Sequence, residues 1–317
     1  MAEATTGLAL VRRTRGDYAE AETLFREALA VYEVLGDEQA VAGALDRLAL
    51  CLVVAGDVAG AHLLFERSLE LGRRLGDAHG IALGLYGLAM SRPSSGHEGA
   101  LAQATESLDI LRGLGDRRAF GKVLWCVADI HADSGDAESA AAQFQEALTL
   151  FVEFGDRWWC GLVLESAAFL AASTGDAERA IRLLAAADGI ETVLGVPLWV
   201  GLRERREQVL AETRSRLGDA RFAAVWEEGE RTPLDATIEI VASPPTGTGV
   251  DVAEDLTARE LEVLSLVAEG LTDAEVAERL VVSLRTVHAH LRSIYRKLDV
   301  HTRSAATRYA LEHGLAA

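Results

Sequence analysis

The stretch that decides the fold covers residues 36–57 and runs GDEQAVAGALDRLALCLVVAGD. A Gly-Asp pair stands at each end of it. Glycine favours the left-handed conformation that ends a helix, and aspartate caps the start of the next helix. The residues between the two pairs are mostly apolar or small and include no proline, so the stretch predicts one helix between two tight loops.

The same pair recurs along the chain about every twenty residues, which predicts a row of helices joined by short loops. Alternate segments resemble each other, so the repeating unit is a helical hairpin of about forty residues. The pairs are Gly16-Asp17, Gly36-Asp37, Gly56-Asp57, Gly76-Asp77, Gly115-Asp116, Gly135-Asp136, Gly155-Asp156 and Gly175-Asp176.

The second helix of each hairpin carries a small–aromatic–small pattern, such as Ala21, Phe25 and Ala28 in the first hairpin. The pattern resembles that of tetratricopeptide repeats, in which small residues let the two helices of a hairpin approach closely. The resemblance implies an all-α fold in which residues 1–190 form a tetratricopeptide-like helical-hairpin solenoid. The third hairpin departs from it, because the segment 96–100 has lost a residue and the aromatic.

Two further segments follow the repeats. We expect residues 191–240 to form a helical pair that caps the solenoid, with its helices between Arg203 and Glu230. Residues 241–254 are rich in Pro, Gly and Thr, which predicts a flexible linker. Residues 255–317 are expected to be a separate small domain.

This last domain begins its helices with recognisable caps. Thr257 with Glu260, and Thr272 with Glu275, have the spacing of a capping box, in which hydroxyl and carboxylate satisfy free backbone N–H groups. Ser283 is a good N-cap for a third helix. Gly270 fits the left-handed residue after the first helix. The sequence therefore predicts three helices, and Thr302 and Gly314 bound a fourth.

The third helix has an apolar and a basic face. Val287, Leu291, Ile294 and Leu298 fall at helical spacing and should pack on the first two helices. Between residues 283 and 308 the only acid is Asp299, against six basic residues, and such an excess is typical of a helix that lies in the major groove. The six are Arg285, Arg292, Arg296, Lys297, Arg303 and Arg308.

The order of these signals, from Leu256 to Val300, resembles the LuxR-type helix-turn-helix of bacterial transcription regulators. The resemblance implies a small four-helix domain whose helix-turn-helix covers about residues 273–292. It implies double-stranded DNA as the partner and a homodimer on inverted half-sites, with the dimer contact in the fourth helix near Arg303 to His313.

The roles of the predicted DNA-binding residues divide into two groups. Hydroxyls and basic side chains near the start of a helix usually hold phosphates, and side chains that reach base edges carry sequence information. We assign the phosphates to Ser283, Arg285, Thr286, Arg296 and Lys297, and the base edges to His288, Ala289 and Arg292. Thr272, Val287 and His290 complete the predicted DNA-binding set.

The net charge of −18 is unevenly distributed. Residues 255–317 carry nine acids and eight bases, so the preceding residues carry about −17 and should repel DNA. No apolar run is long enough for a membrane span, no signal peptide is evident, and Cys51, Cys126 and Cys160 are widely spaced. These features predict a cytoplasmic protein with buried free thiols and no membrane partner.

No catalytic or metal-binding motif is recognisable, so we expect neither an enzyme nor a cofactor. The nearest string to a phosphate-binding loop, Gly115 to Val123, has one residue too many and no hydroxyl after its Lys. The favoured interpretation is a transcriptional regulator whose repeats bind an unknown protein or small molecule. The alternative is a repeat-based protein-interaction scaffold with an auxiliary DNA-binding domain.

Overall fold

The computed structural model describes residues 1–92, 96–196, 200–243, 256–280, 282–298, 300 and 303–312. For some helical residues the structure describes the backbone but not the side chain; these are Val200, Ala258, Arg285, Ala289, Arg296, Ser304, Ala305, Leu311 and Glu312. The described backbone is helical and contains no strand. The chain divides into two compact units, residues 1–246 and 247–317, which confirms the predicted all-α architecture of repeats followed by a small domain.

In the first unit, each of the helices up to residue 231 packs against the next along the chain. Ten of them form the hairpins: α1 (Ala2–Thr14), α2 (Tyr18–Leu35), α3 (Glu38–Ala55), α4 (Val58–Leu75), α5 (Ala78–Met90), α6 (His97–Leu114), α7 (Arg117–Ser134), α8 (Ala137–Glu153), α9 (Arg157–Ser173) and α10 (Ala177–Leu194).

The Gly-Asp pairs form the loops that the sequence predicts. Each glycine of the eight pairs has a φ between +66° and +90°, the left-handed region that other residues rarely adopt. Each following aspartate is an N-cap, and all but Asp17 accept a hydrogen bond from a backbone N–H in the first turn. Asp17 instead lies 3.5 Å from the Arg12 guanidinium.

The small and aromatic residues of the second helices lie in the core of the repeats. Ala21, Phe25 and Ala28 are fully buried. Between the second and third hairpins, α5 approaches α4 so closely that a Cβ on Gly87 would stand 2.1 Å from the Phe65 ring. The third hairpin, whose second helix α6 lacks the aromatic, places Ala100, Ala104 and Ser107 in the core instead.

Three of the N-cap aspartates also connect successive hairpins. Asp116 accepts from the Ala119 N–H through Oδ1, and its Oδ2 lies 3.1 Å from His79 Nε2 of the preceding hairpin. In the same way Asp77 binds the Gly80 N–H and the Gln39 side chain. Asp156 repeats the arrangement with the Trp159 N–H and Arg118. We call this series the aspartate ladder.

In the described part of residues 191–243, three helices follow the repeats: the pair predicted between Arg203 and Glu230 and one more. A 3₁₀ turn at Val200–Leu202 leads into α11 (Arg203–Leu217), and α12 (Asp219–Arg231) follows. The additional helix is α13 (Leu234–Ala242), which packs against α8, α9 and α10. Its Val241 is fully buried, and the carbonyl of this residue accepts a hydrogen bond from Arg179.

The helix α13 also corrects the start of the predicted linker, because residues 241 and 242 are helical. Most of the predicted linker, residues 244–254, lies outside the described residues. The second unit contains α14 (Ala258–Ala268), α15 (Asp273–Arg279), α16 (Leu284–Lys297) and α17 (Arg303–Glu312). None of the described helices is both long and apolar enough to cross a membrane.

Candidate nucleic-acid interface

Both predicted capping boxes are present in the second unit. The Thr257 hydroxyl accepts from the Glu260 N–H, and the Glu260 carboxylate accepts from the Thr257 N–H at 2.7 Å. Thr272 and Glu275 make the same reciprocal pair at the start of α15. Gly270, with φ of +91°, follows the end of α14 as predicted. Thr302 and Gly314, the predicted bounds of the fourth helix, lie outside the described residues.

The apolar face of α16 forms the centre of the unit. Val287 and Ile294 are fully buried, and Leu291 and Leu298 are nearly so. They pack with apolar side chains of the other three helices in one cluster. The structure corrects the prediction that Val287 contacts DNA: its side chain is 0% exposed and belongs to the core.

The start of α16 presents hydroxyl groups. Ser283 caps the helix by accepting from the Thr286 N–H at 3.1 Å, and the Ser283 and Thr286 hydroxyl oxygens lie 2.8 Å apart. Ser283 is exposed and Thr286 is half-buried. Thr272, at the start of α15, is also exposed, so these groups are accessible to a phosphate.

The other face of α16 carries His288 and Arg292, which are both exposed, whereas His290 is half-buried. The Arg292 Nε donates to the carbonyl of His288 at 3.3 Å, one turn earlier. DNA contacts are also predicted for Arg285, Ala289 and Arg296, whose side chains are not among those that the structure describes. The structure therefore brings two of the three predicted base-reading residues to one exposed surface.

Asp273 connects three helices at the edge of this surface. It is the first residue of α15, and its carboxylate lies 3.2 Å from His288 Nε2 of α16. The same carboxylate accepts from Arg303 of α17, which also donates to the Leu271 carbonyl. This role of Asp273 and Arg303 was not predictable from the sequence pattern, because the two residues are 30 positions apart in the sequence.

Lys297 has a partner inside the protein. Its Nζ lies 2.7 Å from Glu260 Oε2, with the Lys297 side chain 26% exposed. Burial opposes the ionisation of Glu260, but hydrogen bonds from Lys297, Ser293 and Thr257 outweigh it and lower the pKa of this carboxyl to about 2. Lys297 therefore connects α16 to the start of α14. The sequence predicts a phosphate contact for Lys297 and does not predict this internal contact.

Arg259 fixes the turn between α15 and α16. Its guanidinium donates to the Leu280 carbonyl at 2.7 Å, 21 residues away in the chain, and also pairs with Glu262. After Leu280, the Val282 N–H returns to the Ala277 carbonyl. A basic residue two positions after the Thr257 N-cap was the one available signal, and it does not identify the carbonyl that accepts.

Two family models match the chain. That of the bacterial regulatory proteins of the luxR family matches residues 254–310, and that of the tetratricopeptide repeat matches residues 1–74. The C-terminal unit is therefore a LuxR-family helix-turn-helix domain, and the N-terminal unit carries tetratricopeptide repeats.

The similar curated proteins are named as regulators. The transcriptional regulatory protein LiaR of Bacillus subtilis is 49% identical over 57 residues, which are 18% of this chain and 27% of LiaR. The response regulator protein VraR of Staphylococcus aureus is 38% identical over 65 residues, 20% of this chain and 31% of VraR.

An HTH-type transcriptional regulator of Mycobacterium tuberculosis, Rv0890c, is 36% identical over 97 residues, 28% of this chain and 10% of that protein. The chain thus spans less than a third of the length of each of these relatives.

Proposed function

We propose that this chain is a transcriptional regulator whose C-terminal unit binds double-stranded DNA by placing α16 in the major groove. The observation that carries the proposal is the division of α16 into two faces. Val287 and Ile294 hold the helix in the core, while His288 and Arg292 are exposed on the other side. Helix-turn-helix proteins present a recognition helix to base edges in this form.

The proposal assigns separate tasks along α16. Ser283, Arg285, Thr286 and Arg296, together with Thr272 of α15, bind phosphates and set the register. His288, Ala289 and Arg292 reach base edges, where Ala289 meets a thymine methyl and Arg292 meets guanine. Two residues position α16 from the side that faces the rest of the unit: His290, which is half-buried, and Lys297, which is paired with Glu260.

The rest of the molecule completes the regulator. Two copies bind inverted half-sites through α17, and the repeats bind the protein or small molecule that controls them. The names of the relatives support regulation of transcription. A promoter as target places the action of the protein in the bacterial cytoplasm.

The test is selection from a random DNA library with the full chain and its Arg292→Ala and Arg285→Ala variants. Arg292→Ala should relax the preference at one base pair by about ten-fold to a hundred-fold, because a bidentate contact to guanine contributes about 1–3 kcal/mol. Arg285→Ala should weaken all sequences alike and reduce the dependence of log affinity on log salt by about 0.9.

Arg112→Ala is the matched control, since this exposed arginine pairs with Asp109 within a repeat helix. It should leave both preference and salt dependence unchanged. An unchanged preference in Arg292→Ala would refute the assignment of that contact. Failure of the full chain to enrich any sequence at low salt would favour the interaction scaffold instead.

A further inference from the structure

The chain folds back over its own repeats after α10. The first helices of successive hairpins lie side by side, with α3 next to α5, α5 next to α7 and α7 next to α9. The 3₁₀ turn at Val200–Leu202 lies against α3, and α11 then packs against α9 and α10. We call Val200–Arg206 the return segment, since it runs from α3 back to α9 across this row of first helices.

Two arginines anchor the return segment. The Arg205 guanidinium lies 4.6 Å from the centroid of the Phe169 ring in α9, a cation–π distance. Arg206 donates to Asp188 at 2.5 Å and to Glu191 at 3.0 Å, both on α10. With its side chain only 13% exposed, Arg206 occupies a socket formed by α9 and α10.

The socket contains more negative charge than Arg206 can balance. Glu165 of α9 is its third carboxylate, with Oε1 3.9 Å from the Arg206 guanidinium. The Glu165 side chain is 3% exposed, and among the described residues its Oε2 has no hydrogen-bond partner. Burial raises the pKa of Glu165 to about 7. A buried carboxylate oxygen that accepts no hydrogen bond favours a donor that extends further into the socket than Arg206 does.

We infer that this socket is a binding site for an arginine-bearing peptide segment of a partner protein, and that the return segment occupies it as an internal ligand. The partner displaces the return segment by placing a guanidinium between Glu165, Asp188 and Glu191. Charge complementarity supports this chemistry, because the residues before 255 carry about −17. The inference rests on the regulatory role proposed for the repeats, and it names the class of partner.

The experiment measures fluorescence anisotropy of a labelled peptide that copies residues 200–210, with no DNA present. The full chain should bind it weakly, because the tethered segment competes at an effective concentration in the millimolar range. A full chain with Arg205→Ala and Arg206→Ala should bind the peptide at least ten-fold more tightly than the unchanged chain does. Adding Glu165→Gln to that chain should remove most of the gain, whereas adding Asp109→Asn, on an exposed side chain of α6, should not.

Two peptides provide the matched comparison. Both peptides are measured on the double variant. The peptide with Arg206→Ala should bind it at least ten-fold more weakly than the peptide with Arg203→Ala, since Arg203 is exposed and Arg206 enters the socket. Equal binding of these two peptides, or no binding to a double variant that still unfolds cooperatively, would overturn the inference.

A variant chain with Arg206→Lys keeps the result interpretable if the double variant does not fold. Lysine retains the charge but lacks the planar fork with which Arg206 reaches Asp188 and Glu191 through two separate nitrogens. The peptide should therefore bind this chain several-fold more tightly than the unchanged chain, and equal binding to the two would again overturn the inference. Because DNA binding is not measured, failure here leaves the proposal for α16 unaffected.

Discussion

The two units use the same device, a side chain that caps a helix, but they connect it to the rest of the fold differently. In the repeats, Asp116 caps α7 with one oxygen and contacts the preceding hairpin with the other. In the C-terminal unit, Glu260 closes a capping box and also binds Lys297 of α16. A cap in the array thus stabilises one neighbour interface, whereas a cap in the small unit stabilises the core that its helices share.

The largest effect is expected from Phe144→Ala in the array. This ring is fully buried between α8 and its neighbours, so its removal should cost about 3–5 kcal/mol. Because repeats interact with their neighbours, hydrogen exchange should increase in α7 to α9 much more than in α1 to α3. Uniform loss of protection over all ten hairpin helices would show that the array unfolds as one block. It would contradict the view that stabilisation in the repeats acts between neighbours.

Glu260→Gln should have the next largest effect, and it should depend on pH. The pKa of this carboxyl falls from 4.5 to about 2 in the folded state. The ionised form therefore adds about 3 kcal/mol above pH 4.5, which is lost as the pH falls from 4.5 through 2. The wild-type chain should lose this stability in acid, and the variant should lack it at pH 7.

The measurement for Glu260→Gln is hydrogen exchange of α14 and α16, corrected for the intrinsic exchange rate at each pH. All five tryptophans precede residue 227, so tryptophan fluorescence follows the repeats and provides an internal control. The matched variant is Glu262→Gln, because Glu262 is an exposed partner of Arg259 and its loss should cost less than about 1 kcal/mol. Equal effects of the two variants would contradict the role given to Glu260.

Asp116→Ala tests the aspartate ladder at a smaller magnitude. It removes a cap, which costs about 1 kcal/mol, and also the contact with His79, for a total of about 2 kcal/mol. Asp57→Ala is the control for the cap alone. Asp57 binds the Gly60 N–H at 2.9 Å, and among the described residues it accepts from no other hairpin. Hydrogen exchange of α4 and of α7, each measured next to its own cap, should separate the two variants, and equal costs would contradict a contribution of the ladder contact to stability.

His288→Ala should have the smallest effect on stability. His288 is half exposed, and its contact with Asp273 is an exposed pair, so the cost should stay within about 0.5 kcal/mol. Any change in DNA preference would then report a contact with DNA and not partial unfolding. Thermal unfolding and DNA selection on the same preparation make the check, and a cost above 1 kcal/mol would assign His288 to the core structure instead.

The features that the sequence predicted best are local ones. Gly36-Asp37 and the Thr257–Glu260 box place donor and acceptor within three or four residues, so their geometry follows from spacing. The apolar face of α16 was predictable for the same reason, because helical periodicity places Val287 and Leu291 on one side.

The missed features depend on contacts between distant residues. The sequence of α13 is rich in β-branched residues, which favour helices weakly, and its packing against α8 to α10 stabilises it. Lys297 looked free to bind phosphate because Glu260 is 37 positions away. Val287 adjoins the residues proposed to contact DNA, and only the packing of α16 places it inside.

The aspartate ladder has a direction that matters while the chain is being made. In each rung the donor belongs to the earlier hairpin and the carboxylate to the later one, as in Gln39 with Asp77 and His79 with Asp116. A ribosome adds about 5–20 residues per second, so each acceptor emerges about 2–8 seconds after its donor. The second, third and fourth hairpins therefore each offer a donor, Gln39, His79 or Arg118, on which the next hairpin to leave the tunnel can dock.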